Sequence, residues 1–305
     1  MFEIKRFDNW IEDKGSGRFG SGASEKVWLI NPQTDEKGIF KFPKIKNKEK
    51  GIVTGEYWAE KLASEIGKLI NVECAKVEIG TYMGRIGSMS YNIISDKIIA
   101  FVEGVEFILA EYPYYDKDKL QDPFTNTQYS IQMIQKSIAH LIEFKDFLKV
   151  AIFDVLIGNS DRHHSNWGIK YEINDNDINV GICPLYDNGS SLCAYENNND
   201  LTIFFKDKMK FEALVNTKSK SAIGWDNKRP IRQFELLEKI KENYYNETVG
   251  YIKLIKNNIN EKNINDIIEN FDTDIINKDM KKLLKMYLLE RRKRMLKIYD
   301  LKDGV

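Results

Sequence analysis

Cysteine is scarce in this chain. Its 305 residues hold three, Cys74, Cys183 and Cys193, and none forms a Cys-x-x-Cys pair. That excludes a disulfide framework and a cysteine-rich zinc site, and it fits a reducing cytoplasm. Histidine is equally rare, with three residues. Net charge is missing as well, because Lys+Arg and Asp+Glu both total 46. No global basic field draws the chain to nucleic acid or to an anionic membrane, so neither is expected as a direct partner. No run approaches the ~18 apolar residues of a membrane span. The opening residues, MFEIKRFDNWIED, are charged and amphipathic and lack the apolar centre of a signal peptide. A cytoplasmic location is expected, with secretion by a route that needs no signal peptide as the alternative. What is present is 42% hydrophobic residues, enough for a folded core. The length suits one large domain or a two-lobed one.

The first hundred residues read mostly as strand. A Gly/Ser-rich turn covers 15–24, and strands are expected at 25–30 and 39–43. Helical spacing of Trp58, Leu62, Ala63, Ile66 and Leu69 predicts a helix over 54–69. Two or three strands follow up to residue 94. The composition changes near residue 105, which suggests an N-lobe at 1–105 and a C-lobe at 106–305. A helical pattern runs over 128–156, then a loop at 158–166 and strands at 167–171 and 180–186. Residues 188–230 are Asn- and Ser-rich and read as irregular. Helices are expected at 231–257, 263–271 and 278–300. The expected class is α+β, with a β-rich N-lobe, a helical C-lobe and the chemistry between them.

The loop at 157–168 reads Ile-Gly-Asn-Ser-Asp-Arg-His-His-Ser-Asn-Trp-Gly, and Asp187 follows nineteen residues later in Leu-Tyr-Asp-Asn-Gly. Asp161 and Asn166 are thus five apart in a short loop, and Asp187 ends a strand. Phosphoryl transfer from a nucleotide uses such a set: one carboxylate orients the attacking hydroxyl, and an amide and a second carboxylate hold Mg²⁺ against the phosphates. Asp161 is the expected catalytic residue, and Asn166 and Asp187 are the expected metal ligands. Lys41 alternates with Phe40 and Phe42 along its strand, so it faces away from both and is free to meet ATP phosphates. The alternative for Lys41 is a solvated strand lysine. A helix glutamate would hold that lysine; Glu56 and Glu60 lie one turn apart, and Glu56 is the favoured one. Gly20, Ser21, Gly22, Ala23 and Ser24 would close over the phosphates through backbone N–H groups, or form an ordinary linker.

His163 is expected to brace the loop at the nucleotide site and His164 to be mostly exposed. Adjacent histidines rarely converge on one ion. Arg162 would contact phosphate or only the loop backbone, and Asp154 is a weaker candidate that equally reads as a helix-terminal Asp. The basic run Glu290–Lys297 reads as a solvated helix face. The scattered Trp and Tyr residues read as core.

These residues resemble the HipA family of kinases. Gly22-Ala23-Ser24-Glu25-Lys26 is similar to the family's Gly-Ala-Gln-x-Lys phosphate loop, and Lys41 falls at its ATP lysine. Gly55-Glu56-Tyr57 with Lys61-Leu62-Ala63 resembles its Asn-Glu-Tyr…Leu-Ala helix. Gly158 through Asn166 matches its Gly-Asn-x-Asp-x-His-x-Lys-Asn loop, and Tyr186-Asp187 its metal-binding Tyr-Asp. The Asp-Arg-His loop also resembles that of phosphatidylinositol 3- and 4-kinases. The likeness covers roughly residues 15–240 and suits the short, stand-alone members that lack the extra N-terminal subdomain. Two positions depart: Ser165 stands where the family has Lys, and Phe19 where some toxins have a phosphate-loop Ser, for which Ser21 or Ser24 would substitute. The resemblance implies ATP- and Mg²⁺-dependent Ser/Thr phosphorylation of a protein substrate, autophosphorylation and, in toxin members, an antitoxin partner. The alternatives are a lipid or small-molecule kinase, or a catalytically silent toxin–antitoxin binding module.

Overall fold

The structure is a computed structural model that describes residues 1–14, 25–47, 52–174, 177–196, 200–217 and 219–303. The Gly/Ser segment, with Gly20, Ser21, Gly22, Ala23 and Ser24, lies outside them. Short strands β1 (Lys5–Arg6) and β2 (Ile11–Glu12) precede β3 (Lys26–Ile30) and β4 (Lys37–Lys41). The small hairpin of β5 (Ile45–Asn47) and β6 (Ile52–Val53) leads into helix α1 (Glu56–Leu69). Strands β7 (Val77–Tyr82) and β8 (Arg85–Tyr91) complete a six-stranded sheet of order β1-β7-β8-β4-β3-β2. Period-two alternation sets its faces. Phe40 and Met89, opposite each other in register, are fully buried with Phe7, Leu29, Phe42 and Tyr82. Lys41 and Ile39 therefore point to the other face.

Strand β9 (Ile98–Glu103) leads to α2 (Gly104–Glu111), the small hairpin β10 (Gln121–Asp122) and β11 (Thr127–Gln128), and helices α3 (Ile131–Ile138) and α4 (Phe144–Ile157). The helix expected over 128–156 is thus two. Its apolar period runs on through 139–143, where the chain turns and Glu143 is extended. Ser130 caps α3 by accepting from the Met133 N–H. Gly158 ends α4 at φ 72°, where a Cβ would lie 2.0 Å from the Tyr287 hydroxyl, so conformation and space both call for glycine.

Strands β12 (Gly168–Asn174) and β13 (Asp177–Ile182) form a hairpin beside β9. The segment expected to be irregular holds two five-residue helices, α5 (Thr202–Lys206) and α6 (Lys208–Glu212), a π-helical turn at Ala213–Thr217, and β14 (Lys220–Ser221), whose partner β15 (Ile231–Arg232) takes the first two residues of the helix expected from 231. Helices α7 (Gln233–Asn258), α8 (Glu261–Ile268) and α9 (Lys278–Ile298) follow, near the expected positions. Among the described residues no helix is long and apolar enough to cross a membrane.

The largest core joins the two halves. Trp58, Leu62 and Ile66 of α1 pack in one cluster with Leu156 of α4 and Leu284, Tyr287 and Met295 of α9. Burial of such side chains contributes roughly 1.5–3 kcal/mol each, so α1 is anchored on the helical half even though it follows the N-terminal strands. The basic run of α9 is not a solvated face: Arg291 is fully buried, and Arg294 pairs with Glu212 and Glu290. Arg291 donates to the carbonyls of Val155 and Val215, which ties α9 to the last turn of α4.

Candidate active site

The loop after α4 is held mainly through its backbone. Asn159 donates to Asp154 Oδ1 (3.0 Å) and accepts from the Asp161 N–H through Oδ1 (3.1 Å). The Asp161 carbonyl accepts from Asn166 Nδ2 (2.8 Å). With its amide nitrogen so engaged, Asn166 has its amide oxygen left for a ligand. Tyr129 donates to the Arg162 carbonyl and accepts from Trp167 Nε1; Tyr129 and the fully buried Trp167 belong to another core cluster, with Ile108 of α2, Ile134 of α3 and Phe147 of α4. Among the described residues no hydrogen bond uses the Asp161 carboxylate, which stays exposed at the cleft.

Arg162 does not reach toward phosphate. It is 1% exposed and donates to Asp154, to the carbonyls of Asn166 and Tyr186, and to Asn188 Oδ1. One planar guanidinium therefore fastens the loop at 161–166 to the segment at 186–188. Asp154 is its buried counter-ion, 2.8 Å away. The β12–β13 hairpin, with Ile169 opposite Ile182, returns the chain to this point. Asp187 sits at φ 58°, a left-handed conformation that Asp tolerates better than most residues.

Lys41 Nζ lies 3.0 Å from Asp187 Oδ1. Burial opposes the lysine's charge, but Asp187, then Glu60 and more weakly Glu56, hold its pKa above the ordinary value. Lys41 in turn lowers Asp187, against the effect of burial. Glu60 is 2% exposed, and its Oε1 has no hydrogen-bond partner among the described residues. Burial raises its pKa, with Lys41 acting the other way. Glu56, expected to hold Lys41, instead accepts from Thr54 (2.5 Å) and Tyr195 (2.7 Å) and pairs with Lys44 Nζ at 3.2 Å. Glu60 is the glutamate facing the Lys41–Asp187 pair. Asp161 opens onto the cleft, yet the surrounding protein shields its carboxyl from part of the solvent and raises its pKa; His163 opposes this and Asp187 adds to it.

Two cavities share Lys41, His163 and Asp187. The first, about 250 Å³, has apolar walls from Trp28, Ile39, Tyr91, Ile94 and Phe101, and Asn166 also lines it. Its size and lining suit a planar heterocycle. The second, about 150 Å³, holds Asp161, Lys44, Glu56, Glu60 and Ser190. Sequence reasoning left three residues out of the site. Lys26 lies opposite Lys41 in register and lines the first cavity. Its place in the Gly-Ala-Ser-Glu-Lys motif was the available signal. Lys44 and Tyr195 carried none, since neither lies in a regular element. Ser165 turns toward Glu103 rather than toward Asp161; burial raises the Glu103 pKa, and the Ser165 hydroxyl acts the other way.

His163 braces the loop through Nδ1, which accepts from the Ser165 N–H at 3.2 Å. His164 is not at the surface: it is 6% exposed, with Nδ1 3.0 Å from the Tyr115 hydroxyl. Burial, then His163 and Lys117, lower its pKa to about 4. The unfolded chain takes up that proton near the ordinary 6.5, so stability is full above that pH and falls down to about pH 4. The loss should total about 3 kcal/mol. Urea unfolding from pH 7 to pH 4 should show it, and a His164→Gln variant should lack that part of the slope. An equal slope in the variant would place the titration elsewhere.

No family model matches the chain. Among curated proteins, the serine/threonine-protein kinase CtkA of Helicobacter pylori is 23% identical over 287 residues, which is 92% of this chain and 83% of CtkA. The crystal structure of the proinflammatory kinase CtkA of H. pylori superposes with a TM-score of 0.77 at 20% identity, covering 97% of each chain. HipA of Shewanella oneidensis MR-1, solved with HipB and operator DNA, superposes at 0.58 and 16% identity over 94% of this chain and 68% of that one. The sequence match and the shared α+β kinase-like fold, each running along more than nine-tenths of the chain, make it similar to the HipA-like serine/threonine kinases.

Proposed function

We propose that the chain is an ATP- and Mg²⁺-dependent serine/threonine protein kinase that also phosphorylates itself. The observation that carries this reading is the convergence of Asp161, Asn166, Asp187 and Lys41 on two adjoining cavities, one of them walled by apolar side chains. Asn166 and Asp187 offer an amide oxygen and a carboxylate, both hard oxygen donors. Among the described residues no three His, Cys, Asp or Glu cluster into a metal cage. That donor set fits Mg²⁺, which binds through one or two protein groups and completes its shell with water and phosphate oxygens. Bound there, Mg²⁺ would neutralise phosphate charge.

The chain's own residues do the rest. Trp28, Ile39 and Tyr91 hold the base, and Lys41 meets phosphate oxygens with a charge maintained by Asp187 and Glu60. Asp161 orients the substrate hydroxyl and accepts its proton, and its raised pKa improves the match to that task. The Ser and Thr side chains of a protein substrate reach Asp161 through the second cavity. Self-phosphorylation is assigned to Ser21 or Ser24, where an added phosphate would repel the nucleotide phosphates.

Incubation with γ-labelled ATP and Mg²⁺, with the label mapped by mass spectrometry, tests the proposal. Phosphoserine or phosphothreonine on the chain or on an added protein is the expected result. Absence of label, together with no rise in melting temperature on adding Mg·ATP, would overturn it.

A further inference from the structure

The second cavity sets an electrostatic problem that the residues assigned so far do not solve. It gathers the carboxyl groups of Asp161, Asp187, Glu56 and Glu60, and a transferring phosphoryl group would bring further negative charge into it. Such charge must be met by fixed cations close to where it develops. Among the described residues lining this cavity the ammonium groups are those of Lys41 and Lys44. Lys41 pairs with Asp187 at 3.0 Å, is only 18% exposed and also lines the base-binding cavity, where it is assigned to the bound nucleotide. Arg162 is consumed by Asp154 and by backbone carbonyls behind the loop.

Lys44 differs in three respects. Its backbone is fixed: the N–H donates to Thr54 Oγ1 (3.1 Å) and Glu56 Oε2 (3.2 Å), and its carbonyl accepts from the Thr54 N–H (2.8 Å). Its ammonium is aimed by Glu56 at 3.2 Å and lies 5.4 Å from the centre of the Tyr195 ring. The side chain is still 48% exposed, so it can meet a ligand. Glu56 is itself held by Thr54 and by Tyr195, whose hydroxyl also bonds Ser190. This is a preorganised cation in the same cavity as the expected proton acceptor, Asp161.

We propose that Lys44 is a second phosphate-contacting catalytic lysine, which meets the oxygens of the transferring γ-phosphoryl group, and that Glu56 positions it. The inference rests on the kinase reading above. In the step, the substrate hydroxyl oxygen forms a bond to the γ-phosphorus as the bond from that phosphorus to the β,γ-bridging oxygen breaks. The electron pair of the broken bond leaves with ADP, and the hydroxyl proton passes to the Asp161 carboxylate. The ammonium keeps its protons throughout and acts by charge, which grows in importance as the phosphoryl group moves toward the acceptor. Lys41 serves the bound nucleotide and Lys44 the transfer.

The test is a Lys44→Met variant assayed beside wild type, Lys44→Arg and Glu56→Gln. Lys44→Met should lower kcat by roughly 10²-fold with KM for ATP changed less than about threefold, because the contact strengthens in the transition state. Lys44→Arg should recover part of the loss, and Glu56→Gln should lose less than Lys44→Met. A readout that needs no turnover accompanies this. Mg·ADP with aluminium fluoride, which mimics the phosphoryl group in transit, should raise the melting temperature of wild type above Mg·ADP alone. Lys44→Met should keep the Mg·ADP rise and lack the fluoride increment. A kcat within about threefold of wild type would overturn the inference and leave the kinase reading intact. So would loss of Mg·ADP stabilisation, or an equal loss in Glu56→Gln that made the pair merely structural. No transfer by wild type would overturn both.

Discussion

Replacing Asp161 by Asn should lower phosphoryl transfer by about 10²- to 10⁴-fold, the usual contribution of a positioned proton acceptor. The fold should not suffer. The loop is organised by the Asp161 N–H and carbonyl, which bond Asn159, His163 and Asn166 and which Asn retains. Stability should even rise slightly at neutral pH. Burial raises the Asp161 pKa in the folded state, so the folded chain binds this proton more readily than the unfolded one. Stability therefore falls as pH rises from the ordinary carboxylate value through the raised one, and the neutral amide escapes that loss. In wild type, kcat/KM should fall on the acid side through a pKa above 3.8, the ordinary value for Asp. Stopped-time label transfer, Mg·ATP thermal shift and a pH–rate profile check these outcomes together. An Asp161→Asn protein that turned over at the wild-type rate would remove Asp161 from the catalytic role.

Replacing Arg162 by Ala should cost roughly 3–5 kcal/mol, the range for leaving one member of a buried ion pair alone. The side chain is 1% exposed, and its loss strands Asp154, the carbonyls of Asn166 and Tyr186, and Asn188 Oδ1. Lysine should not rescue it, because a single ammonium cannot reproduce a planar fork that spans four acceptors. Urea unfolding measures the loss. An Asp154→Asn variant, alone and combined with Arg162→Ala, should show strong coupling between the two residues. Independent, additive effects would mean that the pair does not act as a unit. Because this guanidinium fastens the loop to the segment at 186–188 that carries Asp187, any Arg162→Ala protein that folds should also bind Mg·ATP more weakly.

Two parts of the site were legible because they depend on local spacing. Asp161 and Asn166 share one loop, and a short hairpin of alternating residues covers most of the distance to Asp187, so their meeting follows from chain continuity. Lys41 was legible for a similar reason, since strand alternation turns it away from Phe40 and Phe42 whatever the sheet packs against. The choice between Glu56 and Glu60 was not. They lie one turn apart on α1, and only the packing of that helix against β7, β8 and α8 decides that Glu60 faces Lys41 while Glu56 meets Lys44. The burial of His164 and Arg291 was equally hidden, because charged or polar residues are buried only when partners far along the chain satisfy them. Arg291 finds Val155, 136 residues away.

Periodicity, turn chemistry and one loop with its following Asp thus gave the α+β class and most of the elements, and singled out the residues on which the proposed phosphoryl-transfer reading rests. These are properties of neighbours in the chain, where backbone geometry allows few alternatives. Which lysine each glutamate holds, which arginine is a buried fastener rather than a phosphate ligand, and how one cleft divides into two cavities were settled by tertiary packing alone. Charge pairing and burial are set by distances between segments that the order of residues does not encode locally. Lys41 and Asp187 stand 146 residues apart in sequence and 3.0 Å apart in space.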